Sequence, residues 1–174
     1  MIKYKQDDTH LKLSQTITIL IILFIMCILF TSLLIVAPSG TASQSSIYKN
    51  CSASKAIDGD RNPHFINCTH TDLKSEPKWW RLILPAMYRI TSISITNRIQ
   101  VHERINNVKI LIGNSPVNKG NNNPICAVIP SIPSGSTRTF NCGGMIGRFV
   151  NVYLNLGILT MCEFEVYGGR YIKA

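Results

Sequence analysis

The chain contains one long apolar run, followed by a longer region in which apolar and polar positions alternate. Residues 16–36 carry no charge and consist mainly of Ile, Leu, Phe, Met and Val. A helix rises about 1.5 Å per residue and the hydrocarbon core of a bilayer is about 30 Å thick, so a run of this length can span it. The pattern predicts a single N-terminal transmembrane helix over residues 16–36.

The polar segment before this run sets its predicted orientation. Residues 1–15 include three lysines, and lysines that flank a membrane helix favour the cytoplasmic side. An uncleaved signal anchor would give a single-pass type II membrane protein with an extracellular C-terminal domain. The small residues at 41–43 leave open a cleaved signal peptide and a secreted protein. Residues 37–46, APSGTASQSS, are predicted to form a polar linker.

Beyond residue 47 the apolar positions alternate, and no helical period is found. A period of two places successive side chains on opposite faces of a half-buried strand. Turn-rich clusters of Gly, Pro, Asn and Ser separate the runs. We therefore predict one all-β domain over residues 47–174, an antiparallel sandwich or jelly roll. The alternating positions are Ile90, Ile93, Ile95, Val108, Ile110, Ile112, Val150, Val152, Leu154, Cys162, Phe164 and Val166.

The cysteine content indicates an oxidising compartment. The chain has 6 Cys and no C-x-x-C pair, which favours disulfides over a zinc site. An odd number lies beyond residue 47, so one is unpaired or pairs between chains. Spacing leaves the partners open, although Cys126 and Cys142 bracket a loop that suits a local bridge. Of the two N-glycosylation patterns we prefer Asn50, because a bridged Cys68 would make Asn67 a poor acceptor.

Charge and motifs narrow the function classes. The net charge of +9 would attract sulfated glycans or anionic lipid headgroups. The basic residues are scattered, and an external location argues against a nucleic-acid partner. The sequence has no H-E-x-x-H, G-x-S-x-G or phosphate-loop motif, so we do not expect an enzyme.

An ordered set of segments gives the strongest indication of function. They are KAIDGDR, NCTHT, PKWWRLIL, TSISITNR, ERINNVKILIGN, NNNPICAVI, TFNCGGMIGRFVNVYL and CEFEVYGG. In this order they resemble the fucolectins, or F-type lectins, over residues 43–168. The resemblance implies a discoidin-like jelly-roll β-sandwich, a structural calcium ion and a shallow pocket for terminal L-fucose.

The resemblance also implies the residues that contact the sugar. By position they are His70, Arg98 and Arg104, each expected to donate hydrogen bonds to fucose. Guanidinium groups suit this role because they offer several N–H donors in a rigid plane. Phe65 matches the position that covers the methyl group of the sugar. Between the two arginines the chain carries residues 99–103, IQVHE, where many family members have Gly-Asp-Cys-Cys, so this loop is expected to differ.

The same resemblance implies a set of calcium ligands and two disulfides. The calcium set is the side chains of Asp58, Asp60, Asn67 and Glu163 with the backbone carbonyls of Lys55 and Cys162. Oxygen ligands in this number suit Ca²⁺. The implied bridges are Cys68–Cys162 and Cys126–Cys142. Cys51 would then be unpaired and a candidate for an interchain bridge.

We therefore expect a non-enzymatic, calcium-containing lectin for fucosylated glycans, acting in innate recognition or cell adhesion. The alternative is a discoidin-like adhesion domain that lacks sugar binding and contacts protein, anionic lipid or sulfated glycan. Clustering of weak sites on a membrane or in a homo-oligomer is expected to raise avidity.

Overall fold

The structure is a computed structural model that describes residues 7–30, 35–73 and 77–173, with side chains described for 12–23 within the first range. An N-terminal helix, α1, spans Asp7–Phe30, and its described side chains are all exposed. Among the described residues no helix is long and apolar enough to cross a membrane. The transmembrane segment predicted at residues 16–36 is therefore not supported, and residues 31–34 of it lie outside the described chain.

The end of the predicted span belongs instead to the β domain. Ile35 forms an antiparallel bridge with Tyr167, and the Val36 N–H donates to the Val166 carbonyl at 2.9 Å. Val36 and Ala37 are buried in the domain core. Their apolar character therefore reflects packing against the sheet, a role that a continuous hydrophobic run cannot reveal.

The rest of the described chain is built from strands joined by turns and short 3₁₀ helices, as the alternating pattern predicts. The strands are β1 (Thr41–Gln44), β2 (Thr69–His70), β3 (Lys78–Thr96), β4 (Lys109–Gly113), β5 (Ile125–Val128), β6 (Thr137–Leu154), β7 (Thr160–Met161) and β8 (Glu163–Arg170). All described pairings are antiparallel.

The long strands β3 and β6 run side by side through the whole domain and are bent by irregularities in register. The first half of β3 pairs with β1, and the second half pairs with β8 along the same edge. On the other side β6 pairs with β4, which carries β5 at the edge. Irregular register and twist let one sheet fold over itself. Trp80 on the first half meets Phe164 on β8, with ring centroids 4.8 Å apart.

The interior of this β-sandwich is formed by the predicted alternating positions. Ile90, Ile93, Ile95, Val108, Ile110, Ile112, Val150, Val152, Cys162, Phe164 and Val166 are all buried, and Leu154 packs partly buried against them. The all-β sandwich is therefore confirmed. Alternation of apolar and polar residues predicts the buried positions because one face of each strand packs in the core and the other faces water.

The predicted linker at residues 37–46 is not a linker. Residues Thr41–Gln44 form β1, which pairs in register with Ile83 back to Trp80. The strand has no apolar alternation because it lies at the edge and contributes mainly backbone hydrogen bonds. Sequence pattern alone therefore gave no signal for it.

The two adjacent tryptophans allow a direct test of the core. Trp80 is fully buried and its Nε1–H donates to the Ala53 carbonyl at 2.9 Å, whereas Trp79 is half-buried. Trp80→Ala should lower the free energy of unfolding by about 3–5 kcal/mol, the range for truncating a buried aromatic residue. Trp79→Ala, the matched control, should cost clearly less. Urea unfolding followed by circular dichroism measures both, and equal losses would contradict this arrangement of the core.

Candidate functional site

The candidate site lies where two distant parts of the chain are tied together. Cys68 and Cys162 form a disulfide across 94 residues, and Cys126–Cys142 forms the second, so both predicted bridges are confirmed. Next to the first bridge, β2 pairs with β7, with His70 opposite Thr160. The Cys162 N–H donates to the Thr96 carbonyl at 2.9 Å, at the end of β3. The strand that carries His70 is thus fixed beside the loop that carries the arginines.

The loop after β3 is held by buried Asn97. Its Nδ2 donates to the carbonyls of His102 at 2.9 Å and Ile132 at 2.8 Å, and its Oδ1 accepts the Arg98 N–H at 2.9 Å. Val101 adopts φ 55°, a left-handed conformation that is unusual for a β-branched residue. These bonds close the turn between Arg98 and Arg104. Asn97 was not among the predicted site residues, and its full burial at the end of a strand is visible only in the structure.

His70 and Arg104 make a direct contact. The Thr71 carbonyl lies 2.7 Å from His70 Nδ1 and can only accept, so this nitrogen carries the proton. The Nε2 atom of the neutral ring then accepts from Arg104 Nη1 at 3.0 Å. Burial lowers the pKa of His70, and the charges of Arg104 and Arg98 lower it further, against the hydrogen bond to Thr71. The neutral ring is therefore an acceptor at Nε2.

Arg98 is held by stacking. Its guanidinium carbon lies 4.5 Å from the centre of the Phe65 ring, in cation–π geometry. Phe65 meets the His70 ring edge-on, with centroids 5.7 Å apart. Burial lowers the pKa of Arg98, and repulsion from Arg104 adds to it. The Arg98 guanidinium has no hydrogen-bond partner among the described residues, and its Nε is buried. The structure therefore brings all four predicted sugar-contacting residues together and leaves donors available.

Tyr48 is a component of the site that sequence reasoning missed. Its ring lies 4.7 Å from that of His70, and the two are tilted by 34°. Beside it opens a cleft of about 560 Å³. The cleft is lined by Ile47, Tyr48, Lys49, His70, Asp72, Leu73, Arg104 and Ile158. A single exposed tyrosine in a turn carries no pattern in the sequence that would single it out.

The predicted calcium ligands are only partly assembled. Among the described residues no three His, Cys, Asp or Glu side chains form a metal-binding cluster. Burial, followed by repulsion from the nearby Asp58 carboxylate, raises the pKa of Glu163 to about 7. Asp60 instead accepts from the Asn62 N–H at 2.9 Å and from Asn67 Nδ2 at 2.6 Å.

Two features nevertheless fit a cation that takes oxygen ligands. Asn67 Oδ1 is buried and has no hydrogen-bond partner among the described residues. Glu163, which is 2% exposed, lies beside the Asp58 carboxylate and accepts the Gly59 N–H at 3.2 Å. A cation would pair the orphan oxygen and relieve the repulsion. The side chain of Lys55 is turned to the Ile66 carbonyl, which leaves only its backbone carbonyl for a metal.

Cys51 and Asn50 differ in accessibility. Cys51 is free and 2% exposed, so the interchain bridge predicted for it would require local unfolding. Burial also raises the pKa of its thiol, which makes it a poor nucleophile. Asn50 is exposed, so glycosylation there remains a prediction that the structure allows.

Comparison with protein families and sequences places the site in context. Residues 55–152 match the family model described as NedA-like, galactose-binding domain. The chain is 47% identical to Fucolectin-1 of Anguilla japonica, over 75% of this chain and 79% of the relative. It is 44% identical to the Fucolectin of Anguilla anguilla, over 75% of this chain and 89% of the relative.

Solved structures agree with these sequence matches. A fucolectin from the serum of Morone saxatilis has a TM-score of 0.77 and 42% identity, covering 80% of this chain and 48% of that one. The chain thus spans about half of that protein. A fucose binding module of Streptococcus pneumoniae has a TM-score of 0.65 and 26% identity, covering 78% of this chain and 95% of that one.

The environment of His70 predicts how stability depends on pH. Its folded pKa lies below the value of about 6.5 in the unfolded chain, so the unfolded state takes up a proton first as the pH falls. His70 should therefore destabilise the domain as the pH drops through about 6.5. Glu163 acts in the opposite direction over this range, because its folded pKa of about 7 lets the folded state take up a proton first, so the comparison with a His70 variant isolates the histidine. His70→Gln, which keeps an acceptor for Arg104, should lose less over that range. Urea unfolding at a series of pH values compares them, and parallel curves would contradict the prediction.

Proposed function

Because the chain belongs to the fucolectins, the F-type lectin family, we propose that it binds glycans ending in L-fucose through His70, Arg98 and Arg104. It is a carbohydrate-binding protein and not an enzyme. One observation carries the proposal. Three basic side chains from two distant segments converge beside Phe65, and the Arg98 guanidinium donates to none of the described residues. Names given to its relatives, fucolectin and fucose binding module, support the choice of sugar.

The three groups would read the hydroxyls of one sugar in two ways. Arg98 and Arg104 supply N–H donors, and charged donors form stronger hydrogen bonds than neutral ones. His70 presents a lone pair at Nε2 and would accept a hydrogen bond from a sugar hydroxyl. This hydroxyl would either displace Arg104 from Nε2 or bind beside it. This assigns His70 a different role from the donor role expected from sequence. A sugar without the matching hydroxyls would leave these half-buried groups unpaired, which costs affinity.

Phe65 would recognise the methyl group of a 6-deoxy sugar. Arg98 covers one side of its ring, and the ring edge contacts His70, so the half-buried ring is fixed within the site. Apolar contact with a methyl group stabilises the complex, whereas a hydroxymethyl group at that position would lose hydration.

We also propose a calcium ion held by Asp58, Asn67 and Glu163, with backbone carbonyls of Lys55 and Cys162 and with Asp60 after release of its present bonds. The support is the partnerless Asn67 oxygen and the facing carboxylates of Asp58 and Glu163. Such an ion would supply positive charge between the segment before Cys68 and the start of β8. It would act on the stability of the loop that carries Phe65.

The two disulfides support a location outside the cytoplasm. Both bridges close within one domain, and disulfides persist in oxidising compartments. An external position matches the exposed glycans that a lectin of this kind would meet.

Replacing Arg98 tests the sugar site. Arg98→Ala removes the free guanidinium, so affinity for methyl α-L-fucoside should fall about 10- to 100-fold, the loss for a charged hydrogen-bond donor. Arg170→Ala is the control, because this exposed arginine ends β8. Isothermal titration calorimetry measures both, and circular dichroism checks folding. Wild-type affinity in Arg98→Ala would show that the site is wrongly assigned.

Calcium titration tests the metal proposal. At a calcium concentration about 100 times its Kd, binding to the folded chain should add about 2.7 kcal/mol of stability, seen as a higher Tm. Glu163→Gln and Asp58→Asn should abolish this increment. Glu103→Gln, an exposed acid outside the set, should retain it. An identical Tm of the wild-type chain in calcium and in chelator would refute the ion.

A further inference from the structure

A second cavity adjoins the proposed fucose site. It has a volume of about 280 Å³ and is lined by Lys49, Asn50, Cys51, Lys55, Phe65 and Ile66; we refer to it as the basic cavity. Phe65 contributes to both the fucose site and the basic cavity, since its ring also stacks against the Arg98 guanidinium. Lys49 lines the cleft beside His70 as well as the basic cavity. A ligand seated at the fucose site therefore has the basic cavity within reach of its next sugar.

The basic cavity carries positive charge, and no acid is among the described residues that line it. Its two charged side chains are Lys49 and Lys55, and Arg98 and Arg104 lie on the fucose side. Among the described residues none of these four forms a salt bridge. Lys49 and Lys55 thus place two positive charges at one cavity, and a bound anion would relieve the repulsion between them.

Elsewhere on the domain a cation of the same type is paired. Arg61 makes a bidentate contact with Glu165 at 2.6 and 2.7 Å. No such acid is among the described residues that line the basic cavity, although Asp72 lines the adjoining cleft with Lys49 and Arg104.

The electrostatic environment of Cys51 shows that the cations surround one point. Cys51 lines the basic cavity, and burial raises the pKa of its thiol. Lys55, Arg98 and Lys49 each act in the opposite direction, because each would stabilise a negative charge at that sulfur. An anion in the basic cavity would meet the same three charges.

The ammonium groups of both lysines are positioned to contact an anion in the basic cavity. Lys55 is half-buried and donates to the Ile66 carbonyl, which leaves further N–H donors on its ammonium group. Lys49 has φ 51°, a left-handed conformation that a non-glycine residue adopts at some cost. Its ammonium nitrogen lies 5.4 Å from the centre of the Tyr48 ring.

We propose that the basic cavity binds an anionic group, a sulfate ester or a carboxylate, on a sugar next to fucose, so that the protein prefers acidic fucosylated glycans to neutral ones. The inference rests on the proposed fucose site. A neutral neighbouring sugar would leave two ammonium groups without a counter-charge, whereas an anionic one would form charge-assisted hydrogen bonds with them. Salt should weaken this preference because the lysines are partly hydrated.

The test compares three glycans that share the same fucosylated core. The first is neutral, the second carries a sulfate on the sugar next to fucose, and the third carries a carboxylate-bearing sugar there. The chain is produced without glycosylation, because Asn50 also lines the basic cavity. Calorimetry should show at least one acidic glycan binding about fivefold more tightly than the neutral one, the effect of a partly exposed ion pair. Which acidic glycan gains identifies the anion.

Variants then assign the preference to the lysines. In Lys49→Gln and in Lys55→Gln the ratio of acidic to neutral affinity should fall towards one. Lys55→Arg should restore it, and Lys109→Gln, an exposed lysine on β4, should leave it unchanged. Equal affinity for neutral and acidic glycans in the wild-type chain would overturn the inference while leaving fucose binding intact. So would a ratio that survives both glutamine variants. Failure to bind any of the three glycans would overturn the fucose site itself and this inference with it.

Discussion

The covalent link between Cys68 and Cys162 is the constraint on which the site depends. It joins residues 94 positions apart, and in the chain-entropy account a loop of that length stabilises the folded state by about 4–5 kcal/mol. Its structural effect is local. On one side it sets β2 with His70, and on the other it sets Cys162, whose N–H bonds to Thr96 just before the arginine loop. Without this link, the histidine and the arginines would be held to one another only by weaker contacts.

The arginine loop achieves its shape by hydrogen bonds and not by a bridge of its own. Many members of the family carry a pair of adjacent cysteines there, and this chain has none, as the sequence led us to expect a different loop. Asn97 closes the turn from inside the domain. Ser134 Oγ donates to the Ile99 carbonyl at 2.7 Å, and the Ile99 N–H donates to the Pro63 carbonyl at 3.0 Å. Each of these bonds joins the loop to a different segment. A different set of interactions therefore holds the two arginines together.

The sequence predicted those features that repeat or that depend on covalent chemistry. Positions such as Ile93 and Val152 alternate because the sheet buries one face, and this was readable without a structure. Strand β1 was not, since an edge strand of polar residues is defined by backbone pairing with β3. Val36 was misread because apolar character does not distinguish lipid from a protein core. Tyr48 and Asn97 act through contacts with residues far along the chain, and single positions of that kind leave no periodic signal.

The electrostatics of the site connect its sugar-binding and anion-binding roles. Placing His70, Arg98 and Arg104 together lowers the pKa of His70 and of Arg98, in each case first by burial and then by neighbouring positive charge. Arg98 remains charged regardless, because a guanidinium titrates far above neutral pH. His70 is instead the group that loses its proton, and its neutral ring accepts a hydrogen bond from Arg104. Burial, with a smaller contribution from the arginines, thus favours the neutral histidine, and positive charge extends through Lys49 and Lys55 to the proposed next subsite. A ligand that combines hydroxyl groups with one negative charge matches this distribution better than a neutral sugar does.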